Sequence, residues 1–472
     1  MRKRDLIIEF LQLMFRKGKK AAPRFELGIK DLQSSALPLG HAANSDFVNP
    51  LADRISHSTE KLLFLSNGHG EDLIALQVLQ SLHGLFPDLQ LEVFPLVGKG
   101  KVFDSAISEG WLSKVGPSIT LPSGGFSNQS VLGLFSDISA GLFKLTCQQW
   151  RFVRSCDVSL CAVVAVGDLL PLFFAWTSGA AFGFIGTPKS DYTWRSRPGF
   201  ALSDFYHRLK GTEWDPWEYT LMRSTRCKIV AVRDQLTARG LRQHGVSAQA
   251  PGNPMMDCMQ SLFLPKALKK FRRVLLLCGS RVPEAGRNFV RLIKATQLIK
   301  SKAPIAILVS LGSQPSLKEI EYLLCSLGYK QLALVDDSIA AQAHWVNDSC
   351  NVLIGSGNFS IWSSWAEVGL ATAGTATEQL VGLGIPALSL PGNGPQFTQG
   401  FASRQSRLLG GAVKTCRSAE LLAYELQKLL NDEVLRQSMA IAGPRRMGRS
   451  GGSTALAYLI SQFLCRHKTL HV

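Results

Sequence analysis

The chain lacks the spacing that a zinc site needs. Its ten cysteines (Cys147, Cys156, Cys161, Cys227, Cys258, Cys278, Cys325, Cys350, Cys416 and Cys465) are scattered, with no CxxC pair and no histidine cluster beside them. Structural zinc needs four ligands in close pairs, so no metal is expected. Most of these thiols sit in apolar runs such as SLCAVVAVG and VLLLCGS, where cysteine behaves as a small core residue. A reducing, cytoplasmic compartment is the reading that follows. GxGxxG and GxxxxGK[ST] are missing too, which disfavours dinucleotide oxidoreductases and P-loop nucleoside triphosphatases. Lysine and arginine are spread along the chain and not gathered into a stripe interleaved with aromatics, so nucleic acid is only an outside alternative as a partner.

Long apolar runs are also scarce. The one candidate, Val158 to Trp176 (VSLCAVVAVGDLLPLFFAW), is broken by Asp168 near its middle and by Pro171. An ionised carboxyl is costly in lipid, so the run reads as a buried strand, a sharp turn at Val166-Gly167-Asp168, and a helix that begins near Pro171. No integral membrane protein is expected. Acidic residues are in short supply, 35 Asp and Glu against 52 Lys and Arg, and the formal net charge of +17 suggests an anionic partner.

Residues 1–58 differ from the rest. LIIEFLQLMF contains Glu9 and lacks a following cleavage site, which is against a signal peptide, and the acids Asp5, Glu9, Glu26, Asp31, Asp46 and Asp53 are against a transit peptide. The segment is expected to be a disordered or loosely docked extension, or the product of a mis-set start; a membrane-surface helix over 5–16 is the alternative. It carries ten Lys and Arg and six Asp and Glu, so +13 of the charge remains on residues 59–472.

From Lys61 onward short apolar runs alternate with helical stretches. Strands are predicted at 62–66, 89–98, 157–166, 180–185 and 228–232, with helices over 73–86, 134–153 and 235–244. After the linker-like LFLPKALKK (262–270) the pattern restarts, with strands at 272–279, 305–310, 332–335, 351–355 and 385–390. Alternating strands and helices imply parallel sheets. The expected fold is α/β, two tandem Rossmann-like domains (59–264 and 265–472) facing one cleft, with ligands beyond the carboxyl ends of the strands.

The motifs sit at those ends. Asn67-Gly68-His69-Gly70-Glu71-Asp72 follows the first strand and opens a helix, a place that suits an anion or an oriented hydroxyl; His69 is a candidate base and, alternatively, a loop cap. Cys278-Gly279-Ser280-Arg281, with Glu284 after it, places an arginine where it could bind a diphosphate bidentately. Gly374-Thr375-Ala376-Thr377-Glu378-Gln379 starts a helix whose free N–H groups could hold phosphate, and a carboxylate or amide in its first turns could hold ribose hydroxyls. The Gly/Pro-dense Pro391–Phe397, with Asn393 and Gln396, reads as a shaped binding loop. The region 190–220 mixes Trp194, Trp214 and Trp217 with Arg195, Arg197 and Lys210, a composition suited to a lipid surface or an acyl chain; Phe173 and Phe174 read as core.

Taken together, these stretches resemble lipid-A-disaccharide synthase and its synthase-related relatives, glycosyltransferases of the GT-B architecture, over roughly Lys61 to Ala457. GHGED stands where that family has a Gly-rich Ser-Gly-Asp turn, with Asp72 on the aspartate. Val166-Gly167-Asp168 is similar to its Gly-x-Asp strand end, and Thr187 to Arg195 is a looser match to its Trp-x-Trp-Arg loop. Gly252-Asn253-Pro254-Met255-Met256-Asp257 resembles Gly-His-x-Met-x-Asp, and Gly279-Ser280-Arg281 with Glu284 matches Gly-Ser-Arg-x-x-Glu closely. The chain departs at Asn253, at Gln379 (where the family has glutamate) and at His69, which is closer to peptidoglycan and galactolipid transferases.

The resemblance implies an inverting hexosyltransferase of lipid A biosynthesis, peripheral to the cytoplasmic membrane. A UDP-sugar donor would lie on the second domain and a lipid-linked acceptor on the first, beside Gly68, Gly70, Glu71, Asp72, Trp194 and Arg195. Asp168 or His69 would be the base. Gly279, Ser280, Arg281, Glu284, the 374–379 segment, Asn393 and Gln396 would bind the donor, with Glu378 or Gln379 on the ribose and no cofactor or metal. For Asp168 the alternative is a helix N-cap. An epimerase or a non-catalytic UDP-sugar sensor of the same fold are the rival functions. The sugar, the acceptor and the oligomeric state, a homodimer included, stay open.

Overall fold

In the computed structural model the described residues are 61–117, 142–159, 161–196, 203–259, 262–300, 303–334, 336–347, 350–392 and 397–465, with the backbone alone for 69, 142 and 143. The expectations for residues 1–58, and for Asn393 and Gln396, fall outside them. The described residues lie in one compact unit, Ile55–Val472.

Seven strands form the first sheet: β1 (Lys61–Ser66), β2 (Gln90–Pro95), β3 (Leu112–Lys114), β4 (Cys161–Gly167), β5 (Phe182–Gly186), β6 (Cys227–Val232) and β7 (Ala248–Gln249). Their order is β3-β2-β1-β4-β5-β6-β7 and every pairing is parallel. β1 and β4 are buried on both faces, which is why they read as unbroken apolar runs. Helix α1 (His69–Leu85) covers the sheet with Ile74, Ala75, Val78, Leu79 and Leu82, the spacing of one helical face. Val158–Trp176 divides as the sequence reading has it: β4, a turn at Gly167-Asp168, and helix α2 (Leu169–Thr177) with Pro171 in its first turn. Among the described residues no helix is long and apolar enough to cross a membrane.

The second sheet contains β8 (Arg272–Leu277), β9 (Ile305–Leu311), β10 (Lys330–Leu332), β11 (Ala343–Val346), β12 (Cys350–Ser356), β13 (Val368–Ala371), β14 (Ala387–Ser389) and β15 (Val413–Thr415), in the order β10-β11-β12-β9-β8-β13-β14-β15. Sequence alternation implies parallel strands throughout, but β10, β11 and β12 pair antiparallel at one edge. That departure follows from connection length: ten residues separate β10 from β11 and three separate β11 from β12, too few for the helical crossover that a parallel pair requires.

One helix crosses the boundary drawn at 264/265. Helix α5 (Gly452–Leu464), placed by sequence in the second domain, packs on α1 and on β5 and β6 of the first sheet, where Leu464 lies against Gly183. The Gly252–Asp257 motif docks it. Gly252 has φ 139°, and an added Cβ would stand 2.9 Å from the Gly452 Cα, so the two backbones touch. Asp257 accepts hydrogen bonds from the Gly451 and Ser453 amides, and Asn253 donates to the Met447 carbonyl. Met255, Met256, Met447 and Leu456 then join the cores of both sheets into one cluster.

Candidate functional site

In each sheet the strand order reverses at one point, and in open α/β sheets ligands bind beyond the carboxyl ends there. In the first sheet the point lies between β1 and β4, paired in register up to Ser66 and Val166. Asn67 and Asp168 therefore emerge side by side, and Asn67 Nδ2 donates to Asp168 Oδ1 at 2.6 Å. The Leu170 amide donates to the same oxygen at 3.1 Å, capping α2. Both bonds fall on Oδ1, so the carboxylate is fixed in orientation with Oδ2 left for other chemistry. Asp168 is thus an N-cap by geometry, and being one does not consume its second oxygen. Gly167 (φ 136°) has no alternative here, because a Cβ would collide with Asn67 Oδ1.

Glu71 stands in the first turn of α1, with Thr187 donating to its Oε1 at 3.4 Å. Burial pushes its pKa up, and the nearby Asp168 and Glu378 carboxylates push it further. Asp72 is different. It is buried at the base of the turn, where it accepts the Ser66 hydroxyl at 2.6 Å, and burial raises its pKa to about 7. It secures the turn and offers no surface to a ligand, so its assignment to the acceptor loop is corrected. The backbone of His69 opens α1; its side chain lies outside the described residues.

A pH effect follows from Asp72. Its folded pKa lies above that of an unfolded aspartate, so the stability it supports is complete below about pH 4 and is lost as pH rises to about 7. Asp72→Asn should flatten that decline. Denaturant midpoints across pH 4 to 8 would measure it, and an unchanged slope in the variant would remove Asp72 as the cause.

The second reversal lies between β8 and β13, the strands that lead to the other two motifs. After β8, Gly279 comes close to the Thr372 carbonyl, Ser280 is exposed, and Arg281 is half-buried. Burial lowers the Arg281 pKa, with Glu284, in the first turn of helix α3 (Glu284–Gln297), opposing. After β13, Gly374 caps helix α4 (Thr375–Gly382) without any side-chain hydrogen bond. Gln405 steadies the turn by donating to the Ala373 and Gly374 carbonyls. Thr377 is buried, its hydroxyl donating to the Ala373 carbonyl, whereas Thr375 and Ala376 are half-exposed. Gln379 turns away: its buried amide donates to the Met255 carbonyl at 2.7 Å. It holds α4 to the 254–258 segment, whereas Glu378 is directed to the end of β6.

The two motif sets meet. A Cβ on Gly70 would lie 3.1 Å from Thr375 Oγ1, so the N-termini of α1 and α4 are in close contact. Arg233, at the end of β6, donates to Glu378 Oε2 at 2.7 Å. Two further ion pairs, Glu213 with Arg404 and Asp204 with Arg407, tie the same two sheets' surroundings together. Sequence reading missed Asn67 as a functional residue, and also Thr187 and Arg233. Arg233 could have been flagged by its place between a strand (CKIVAV) and the N-cap Asp234. Trp194 is displaced from its expected role: it is buried, its indole N–H on Asp191 Oδ1 at 3.3 Å, and only Arg195, lying over its ring, is exposed.

Solved structures share this fold. A Listeria monocytogenes protein assigned to the UDP-N-acetylglucosamine 2-epimerases matches with a TM-score of 0.53 at 14% identity, over 86% of this chain and 97% of its own. The chain has the GT-B fold. MnaA of S. aureus, in a structure with UDP, matches at TM-score 0.50 and 15% identity, over 86% and 97%. Medicago truncatula UGT71G1 complexed with UDP-glucose matches at 0.51 and 14%, over 86% and 98%. No family model and no curated relative matches the sequence. At these identities the likeness is one of GT-B architecture; the chemistry must come from the residues in the cleft.

Proposed function

We propose that the protein is an inverting glycosyltransferase that moves a sugar from a UDP-sugar to a lipid-linked acceptor, as its resemblance to lipid-A-disaccharide synthase implies. The observation that supports this reading is the presence of two complementary groups at the strand ends where the two sheets reverse. A carboxylate fixed through Oδ1 (Asp168) stands on one side and an uncapped helix N-terminus (α4) on the other, and Glu71 senses the charge of both Asp168 and Glu378. Asp168 Oδ2 takes the proton of the acceptor hydroxyl as that oxygen attacks the anomeric carbon from the face opposite the leaving group. The departing diphosphate gains its stabilisation from the α4 N-terminus and from Arg281. Two GT-B neighbours bound to UDP or UDP-glucose support the choice of a uridine nucleotide as donor. The neighbour assigned to the UDP-N-acetylglucosamine 2-epimerases favours a second reading, epimerisation of the sugar nucleotide itself. Incubation with UDP-sugars, with and without a lipid-linked acceptor, separates them: acceptor-dependent UDP release is expected, while an epimer formed without acceptor selects the second. No thermal shift with any uridine nucleotide would remove both.

The acceptor side carries the membrane contact in this reading, with the protein peripheral to the cytoplasmic face. Phe205 and Leu209 on the helix Ser203–Lys210 are 72% and 80% exposed beside Arg208, and Trp217 on the next helix is 56% exposed. Apolar side chains next to basic ones on a chain of net charge +17 suit an anionic lipid surface. The Phe205→Glu/Leu209→Glu variant should lose about tenfold or more in cosedimentation with anionic vesicles. Equal binding of the wild type to neutral and anionic vesicles would count against the contact.

A further inference from the structure

Arg233 is buried and under-bonded. Its side chain is 7% exposed, and its one short bond is to Glu378, at 2.7 Å. Nη1 stands 3.4 Å from the Thr187 carbonyl, Nη2 3.5 Å from Met447 Sδ, and Nε has no partner. A guanidinium carries five N–H donors, and buried polar groups are ordinarily matched. Arg273, by contrast, bonds the Trp365 and Phe271 carbonyls, each at 2.8 Å, and pairs with Glu367.

The unfilled fork also has a telling address. It leaves the carboxyl end of β6, in the first domain, and reaches the first turn of α4 in the second, where Glu378 resides. Glu378 belongs to the first turn of α4, and Gly374 leaves the N-terminus of that helix without a side-chain cap.

We propose that Arg233 is the first domain's ligand for the diphosphate of the nucleotide-sugar donor, and that its ion pair with Glu378 is the ligand-free arrangement, exchanged when the donor binds. The proposal rests on the glycosyltransferase reading and adds a cross-domain contact to it. A planar guanidinium matches two phosphate oxygens at once, which a carboxylate partner already hints at. The incoming diphosphate repels Glu378, whose carboxylate is then free to accept from ribose hydroxyls. Donor binding on the second domain thereby draws a cation from the first, coupling closure of the cleft to stabilisation of the leaving group.

Calorimetric titration of the full chain with uridine, UDP and inorganic pyrophosphate tests this. Because removing Arg233 alone strands a buried carboxylate, the decisive comparison is Glu378→Gln against Arg233→Met/Glu378→Gln. The double variant should bind UDP and pyrophosphate about 10- to 100-fold more weakly than the single one, with uridine unchanged. Equal pyrophosphate affinity in the two variants, or no pyrophosphate and no UDP binding by the wild type, would overturn the proposal. Pyrophosphate binding that depends on Arg233, without any gain from uridine, would keep the anion site and sink the uridine-donor reading. Should the double variant fail to unfold cooperatively, Arg233→Lys against wild type decides in the same way, since it keeps the charge and loses the fork.

Discussion

Asp168→Asn is expected to lower glycosyl transfer by about 100- to 10,000-fold while leaving UDP affinity unchanged. The substitution is unusually clean here. An asparagine side-chain oxygen can still accept from the Leu170 amide and from Asn67 Nδ2, so the cap on α2 and the bridge between β1 and β4 are retained. What is lost is the capacity to take a proton. Asp168→Ala gives the contrast: the same loss of transfer, plus about 1 kcal/mol of stability for the missing cap. Turnover by Asp168→Asn at the wild-type rate would end the assignment of Asp168 as the base and return the role to His69.

A large effect on stability is expected at Gly452. A Cβ there would stand 2.6 Å from the Asn253 amide nitrogen and 2.7 Å from the Gly252 carbonyl carbon, both backbone atoms that no rotamer change can move. Gly452→Ala must therefore push α5 away from the Gly252–Asp257 loop. That movement loosens the Asp257 cap on α5 and the packing of Leu456, Met255 and Met256 between the two sheets. A cost of about 3 kcal/mol is expected, at the upper end for overpacking a close backbone contact. Chemical denaturation measures it; a change below about 0.5 kcal/mol would show that the two backbones are not in fixed contact.

The motif reading and the tertiary structure part company at particular residues. Asp168 was legible because a strand ending in Gly-Asp before an apolar helix admits few other geometries. The places of Gly374 and Arg281, where strand ends open into helices, were legible for the same kind of reason. Gln379 was not, since a glutamine in a first helical turn looks equally suited to ribose or to a neighbouring carbonyl. Only the arrival of the 254–258 segment against α4 settles that it bonds the Met255 carbonyl. Asp72 sits in the same motif as Glu71 and is one residue away, yet it faces Ser66 and the core while Glu71 faces Asp168 and Glu378. A helical step of about 100° separates the two directions, and sequence alone does not say which faces inward. Trp194 illustrates the reverse error: a tryptophan in an irregular, basic stretch suggests a surface, but Asp191 takes its N–H inside the core.

By itself the sequence determined the two-sheet α/β architecture, the strand ends that bear glycine, and the basic balance, because each of these is encoded locally, in the alternation of apolar runs, in the turns that follow them, and in a sum of charges. Tertiary structure decided everything that depends on separate segments meeting. It placed Asn67 against Asp168 through the β1–β4 register, returned α5 to the first sheet, and set Arg233 against a glutamate 145 residues away. Those contacts are set by register and by domain packing, neither of which leaves a periodic signal in the chain.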